Sequence, residues 1–168
     1  MYSLLAGPLT VERITVRIRG LPSALRDTKI TLLSDLHYDG LRLSEDLLES
    51  AIQRSNQEQP DIVVLTGDHV TDDPAPAPAL AQHLCQLSSR YGVYACLGNH
   101  DVVTPAAKMA VTDALEQANI HVLWNAIAYP WGESLPLVGL ADFWSKEFRP
   151  QQVLSELTAE VPRIVLSH

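Results

Sequence analysis

Four short strings in this 168-residue sequence contain residue types that bind metal ions or move protons: Ser34-Asp35-Leu36-His37, Thr66-Gly67-Asp68, Gly98-Asn99-His100-Asp101 and Ser167-His168. Carboxylate, carboxamide and imidazole are oxygen and nitrogen donors that suit Mn, Fe, Zn or Ni, and no thiolate is among them. One reaction that uses such a set is displacement at phosphorus. It needs an attacking hydroxide and neutralisation of the phosphoryl charge, and two divalent ions about 3.5–4 Å apart provide both. A carboxylate shared by both ions must sit centrally with two free oxygens, and Asp68 fits. Asp35 and His37 can meet one ion if the chain leaves its strand in a turn. Asn99 offers a neutral carbonyl oxygen to the second ion, and His168 an imidazole nitrogen. His100 adjoins Asn99 and need not be a ligand; it could protonate a leaving oxygen or hold the phosphate. Asp101 could orient an imidazole from behind.

Each string follows an apolar run, and those runs are the elements that must position the chemistry. Lys29–Leu33, Asp61–Leu65, Val93–Leu97 and Arg163–Leu166 read as buried strands. In open α/β sheets, sites assemble at the carboxyl ends of strands. Between them, Ser44 can cap a helix to Gln57 with Glu45 and Asp46 in its first turn. Leu80–Ser88 reads as a helix, and Thr104 with Pro105 starts another. Ile120–Leu123 and Leu135–Leu140 read as strands, Gln151–Leu157 as a short helix, and the alternation in Glu12–Arg19 as a half-buried strand. Asp72–Ala79, rich in Pro and Ala, reads as a stiff surface loop, with Asp72 and Asp73 solvated. The order of elements predicts α/β architecture.

Specificity differs among the strings. Asp-x-His and Gly-Asp are common. A fixed four-residue string such as Gly-Asn-His-Asp occurs by chance in about one chain in a thousand of this size. The competing reading, in which Asp, Asn and Gly simply satisfy turns, holds in part for Gly67 and Gly98. His69 is expected to be a partly exposed loop residue. His83 and His121 are read as structural or surface, Asp142 as a loop cap, and Trp131 and Trp144 as core. Cys85 and Cys96 have no metal-type spacing and read as buried free thiols.

Together, Asp35-x-His37, Gly67-Asp68, Gly98-Asn99-His100-Asp101 and His168 resemble the calcineurin-like metallophosphoesterases, from about Lys29 onward. The phrases LLSDLHYDG, DIVVLTGDHV and VYACLGNHD are most similar to a bacterial branch of phosphodiesterases and UDP-diacylglucosamine pyrophosphatases. The resemblance implies two packed β-sheets flanked by helices and two divalent ions, drawn from Mn, Fe and Zn. It implies that Asp35 and His37 hold the first ion, Asp68 bridges, Asn99 and His168 hold the second, and His100 is the catalytic histidine. The family continues past the His168 position with a further strand and a Gly-His-x-His motif that completes both ions. The expectation is therefore a single domain over residues 1–168 that lacks its last strands and that motif, with weakened metal affinity.

Nearly half of the residues are apolar (46%), enough for a core, and the net charge is −8. That charge repels nucleic acid. Positive charge for a phosphorylated substrate would come from the ions. No cofactor beyond them is expected. Residues Met1–Pro8 are mildly apolar but too short for an export signal. The expected location is cytoplasmic, with peripheral membrane association implied by the branch. Two function classes remain: a hydrolase of phosphodiesters or of lipid- or nucleotide-linked pyrophosphates, and an impaired fragment or non-catalytic scaffold on the same fold.

Overall fold

The computed structural model describes residues 9–168. Four strands, β1 (Ile30–Leu33), β2 (Ile62–Thr66), β3 (Val93–Cys96) and β4 (Ile120–Val122), form a parallel sheet in that order. The first four residues of β2 and all of β3 are buried. This is why they read as continuous apolar runs: a central parallel strand is covered on both faces, whereas β1, at the end of the sheet order and also expected to be buried, is not, with Leu32 59% exposed.

Strand periodicity divides those residues between two layers. Val63, Leu65 and Ala95 face the crossover helices α1 (Glu45–Gln57), α2 (Ala77–Leu84) and α3 (Pro105–Gln117), packing with Leu48, Ile52, Leu80, Leu84, Val111 and Leu115. Ile62, Val64, Tyr94 and Cys96 face the other way, onto Leu137 and Leu166 of a second sheet. That sheet has the order β5 (Ala126–Ala128), β7 (Leu137–Gly139), β8 (Ile164–Leu166); β5 is antiparallel and β8 parallel to β7. An extended segment, β6 (Pro130–Glu133), links β5 to β7. Behind the second sheet, Val138 and Leu140 pack on Val153 of α4 (Pro150–Leu154). The result is an α/β fold: a helix-flanked parallel sheet packed face to face on a smaller mixed sheet.

The helix starts follow capping chemistry. The Ser44 hydroxyl accepts from the Leu47 N–H, and the Thr104 hydroxyl from the Ala107 N–H with Pro105 at the first helical position. Each such cap contributes about 1 kcal/mol.

Several expectations are corrected. Glu12–Arg19 is not a strand: Ile14 and Val16 are 74% and 72% exposed. Alternation makes a strand only where a neighbour completes the ladder, and among the described residues none does; Arg13 is tied to Glu58 by an ion pair instead. The loop expected over Asp72–Ala79 ends early because α2 begins at Ala77, which is buried, with proline in its first turn where no N–H partner is needed. The helix expected over Leu80–Ser88 correspondingly stops at Leu84. The sequence pattern does not predict β5 or β6. The reading of Met1–Pro8 lies outside the described residues.

Candidate metal centre

The loops after β1, β2 and β3 turn sharply as they leave the sheet. Asp35, His37 and Asp68 all have positive φ (53°, 43° and 50°), and Gly67 before Asp68 lies at 89°. Non-glycine residues rarely adopt this region, and Asp, Asn and His do so more readily than most. Such left-handed residues are held by cross-links between loops. The Asp35 N–H donates to the Gly67 carbonyl (3.1 Å), His37 N–H to Asp68 (2.9 Å), and Tyr38 N–H to His69 (2.9 Å). The β1 loop thus runs in register with the β2 loop past the end of the sheet.

Asp68 lies at the middle and is 4% exposed. Its Oδ1 accepts the His100 N–H (3.0 Å), so the carboxylate does not keep the two free oxygens expected of it. Its Oδ2 is left facing three imidazole nitrogens: His168 Nε2 at 3.2 Å, His37 Nε2 at 3.6 Å and His100 Nε2 at 3.9 Å. Asp35 Oδ1 stands 4.0 Å from His37 Nε2. His168 arrives from β8, in the other sheet. Its Nδ1–H donates to the Thr66 carbonyl (2.8 Å), which turns Nε2 toward Asp68. Burial lowers the pKa of this imidazole, but the Thr66 carbonyl and then the carboxylates of Asp68, Asp35 and Asp142 outweigh it and hold it above its ordinary value.

Two glycines make room. A Cβ on Gly67 would stand 2.6 Å from His168 Nδ1, and one on Gly98 would overlap the Asp68 carboxylate. Both are required by close approach of backbone to ligand side chains.

Two donor groups share Asp68: Asp35, Asp68 and His168, and His37, Asp68 and His100. Within each, the ligating atoms lie within 4.8 Å of one another. One carboxylate common to two oxygen–nitrogen groups fits divalent ions of the borderline class. The electrostatics agree, because among the described residues none of Asp35, Asp68 or Asp72 pairs with a lysine or arginine. The grouping differs from the one implied by resemblance: Asp35 falls with His168, and His37 with His100. Asn99 is half-buried in the β3 loop between Gly98 and His100.

Near the site one residue, His69, is placed differently from expectation, and Asp72 and Asp101 gain named partners. Asp72 is exposed, in keeping with its reading as solvated, and it also accepts a hydrogen bond from His100 Nδ1–H (2.6 Å), with φ 52°. His69, read as partly exposed, is 1% exposed, and its Nδ1–H donates to Asp101 Oδ2 (2.8 Å). Asp101 is wholly buried, and the imidazole it orients is that of His69. Burial raises the Asp101 pKa, but the His69 hydrogen bond and charge, followed by the Gly98 and Val70 N–H groups, more than reverse this and hold it below the ordinary carboxylate value. The only sequence signal for Asp72 is its place four residues after Asp68, in a loop where aspartate tolerates positive φ.

Elsewhere, His83 lies 3.8 Å from Glu49 and His121 stacks on Tyr94, both remote in role from the centre. Asp142 caps the turn after β7 by accepting the Trp144 N–H (2.8 Å). Trp144, expected in the core, is 78% exposed, while Trp131 is half-buried against the second sheet. Cys96 is buried as expected, but Cys85 is exposed.

The comparisons with known proteins agree with this geometry. The family model described as calcineurin-like phosphoesterase matches residues 28–160. The chain is 34% identical over 145 residues to the phosphodiesterase YaeI of Escherichia coli, covering 83% of this chain and 52% of that protein. It is 25% identical over 206 residues to the UDP-2,3-diacylglucosamine pyrophosphatase LpxG of Chlamydia trachomatis, covering 95% and 62% respectively. The chain therefore spans about half the length of the curated relatives it matches. Among solved structures, the NAD nucleotidase NadN of Haemophilus influenzae superposes with a TM-score of 0.60 at 16% identity, over 84% of this chain and 34% of that one, which shows a shared fold. With the family model matched over most of its length and the donor residues gathered at the strand ends, the chain belongs to the calcineurin-like phosphoesterases.

Proposed function

We propose that this chain hydrolyses phosphoester bonds through two divalent cations, with a phosphodiester or a pyrophosphate as substrate. The observation that supports this most directly is the buried Asp68 carboxylate, common to two donor groups, with Oδ2 facing His168, His37 and His100. Asp35, His37, Asp68, Asn99 and His168 would hold Mn, Fe or Zn ions, which when bound supply Lewis acidity toward the phosphoryl oxygens and the attacking water.

The chain's own residues do the rest. Asp68 spends one oxygen on the His100 N–H and keeps the other for the centre. His168 is fixed by the Thr66 carbonyl so that its free nitrogen faces inward. His100 has Nδ1–H committed to the Asp72 carboxylate, a counter-ion for the imidazolium, and in that form Nε2–H would hydrogen-bond a phosphoryl oxygen or deliver its proton to the leaving oxygen. Asp101 acts from behind the loops. The names of the relatives, a phosphodiesterase and a lipid-nucleotide pyrophosphatase, favour a diester or pyrophosphate over a monoester. The likeness to the pyrophosphatase supports a lipid- or nucleotide-linked substrate, and a cytoplasmic, membrane-peripheral location is part of the same proposal. No helix among the described residues is long and apolar enough to cross a membrane.

The test is hydrolysis of bis(p-nitrophenyl) phosphate by the full chain with Mn²⁺, beside Asp68→Asn and a chelator control. Turnover lost in both controls supports the proposal. Absence of turnover from folded protein overturns it in favour of a non-catalytic scaffold.

A further inference from the structure

The Asp101 carboxylate has every acceptor position filled, and all of its partners lie in the two loops that carry the central ligands. Oδ1 accepts the N–H groups of His69 (2.8 Å) and Val70 (3.1 Å). Oδ2 accepts His69 Nδ1–H (2.8 Å) and the Gly98 N–H (2.9 Å). An ionised carboxylate offers about four such positions. Both residues are sealed from solvent, Asp101 at 0% and His69 at 1% exposure. The other ring nitrogen of His69 has no hydrogen-bond partner among the described residues. The ring is therefore held from one side, by Asp101 alone.

The placement of these bonds follows the ligands residue by residue. His69 and Val70 come directly after Asp68. Gly98 comes directly before Asn99 and His100. The β1 loop is tied to the same segment through Tyr38 N–H and the His69 carbonyl (2.9 Å). A fully exposed loop histidine would not need such an arrangement, and a hydrophobic residue at position 69 would bury as easily. What only a donor at that position supplies is the fourth bond to Asp101.

Resting on the two-cation reading above, we propose that His69 and Asp101 are positioning residues: a buried imidazole–carboxylate pair that clamps the β2 and β3 loops together and so fixes Asp68 against Asn99 and His100. Neither touches substrate or ion. Their effect is on how well the donor set is assembled before any ion arrives. Partners of this kind, one shell behind a metal site, change metal affinity or activity by about ten- to a hundredfold when removed.

Two substitutions separate the hydrogen bond from the packing. His69→Phe keeps a planar ring and removes the Nδ1 donor. His69→Asn loses ring volume but keeps an N–H that can reach Asp101 Oδ2. Mn²⁺ binding to each full-length variant and to wild type is measured by titration calorimetry, with thermal unfolding of the metal-free proteins alongside. The clamp predicts Mn²⁺ affinity about tenfold or more weaker for His69→Phe and substantially restored in His69→Asn, even though Asn fills the cavity less well. Wild-type affinity in folded His69→Phe, or equal loss in both variants, overturns the proposal. If His69→Phe does not fold, Asp101→Asn reads the same contact, because its amide N–H₂ must face a donor on one side; undiminished Mn²⁺ affinity there overturns the clamp as well. Failure of wild type itself to bind Mn²⁺ would instead sink the two-cation reading, and the clamp with it.

Discussion

His100 is gripped at one nitrogen by Asp72, 2.6 Å away, while its other nitrogen stands 3.9 Å from Asp68 Oδ2. The bond fixes both the tautomer and the ring orientation, which determines where a proton could be delivered. Replacing Asp72 by Asn removes the charge and one acceptor while preserving shape. Asp72→Asn should lower kcat by about ten- to a hundredfold, with Mn²⁺ affinity near that of wild type. Steady-state kinetics on bis(p-nitrophenyl) phosphate read this, and an unchanged kcat would make Asp72 a bystander.

Gly98 is constrained by contact rather than by φ, since a Cβ there would overlap both the side chain and the backbone nitrogen of Asp68. Gly98→Ala should cost about 1–3 kcal/mol of stability through overpacking. It should also weaken Mn²⁺ binding more than a distant substitution of equal stability cost. Denaturant unfolding and calorimetry together test this, and wild-type values in both would show that the loop relaxes freely.

Asp101 gives a pH dependence with a definite sign. Its native pKa lies below the ordinary carboxylate value, so its contribution to stability is full above that value and is lost as pH falls through the lower, native one. The stability gap between wild type and Asp101→Asn should therefore be constant near neutrality and narrow once pH falls below about 5. A gap that widens toward acid would contradict the ionised, hydrogen-bonded carboxylate.

The two cysteines should differ in reactivity. Burial first, and then the Asp101 and Asp142 carboxylates, push the Cys96 thiol up to about 12, and the residue is sealed within the inter-sheet core. Cys85 is exposed after α2. In the native protein an aromatic disulfide reagent at about pH 8 should titrate Cys85 alone, with Cys96 appearing only in denaturant. Immediate reaction of both would contradict the packing.

What the sequence made legible follows from how local each signal is. β1, β2, β3 and β8 were readable because each is a short, mainly apolar run followed within three residues by a ligand-type residue. The two capped helices were readable because the cap and the first turn are adjacent. The partners of His100 and His69 were not, because each contact closes a gap of about thirty residues: Asp72 to His100, and His69 to Asp101. A histidine beside an aspartate in a loop looks the same whether the loop is solvated or clamped. Glu12–Arg19 failed for the opposite reason. Its alternation is a local pattern, and only the sheet decides whether it is used.

Asp68 is the hinge of the account, so the most direct measurement is the number of Mn²⁺ ions bound per chain, by calorimetry with metal analysis, in wild type and Asp68→Asn. The shared-carboxylate geometry predicts two sites in wild type and loss or severe weakening of both in the variant, with the fold retained by circular dichroism. Wild-type stoichiometry and affinity in Asp68→Asn, or no Mn²⁺ bound by folded wild type, would contradict it.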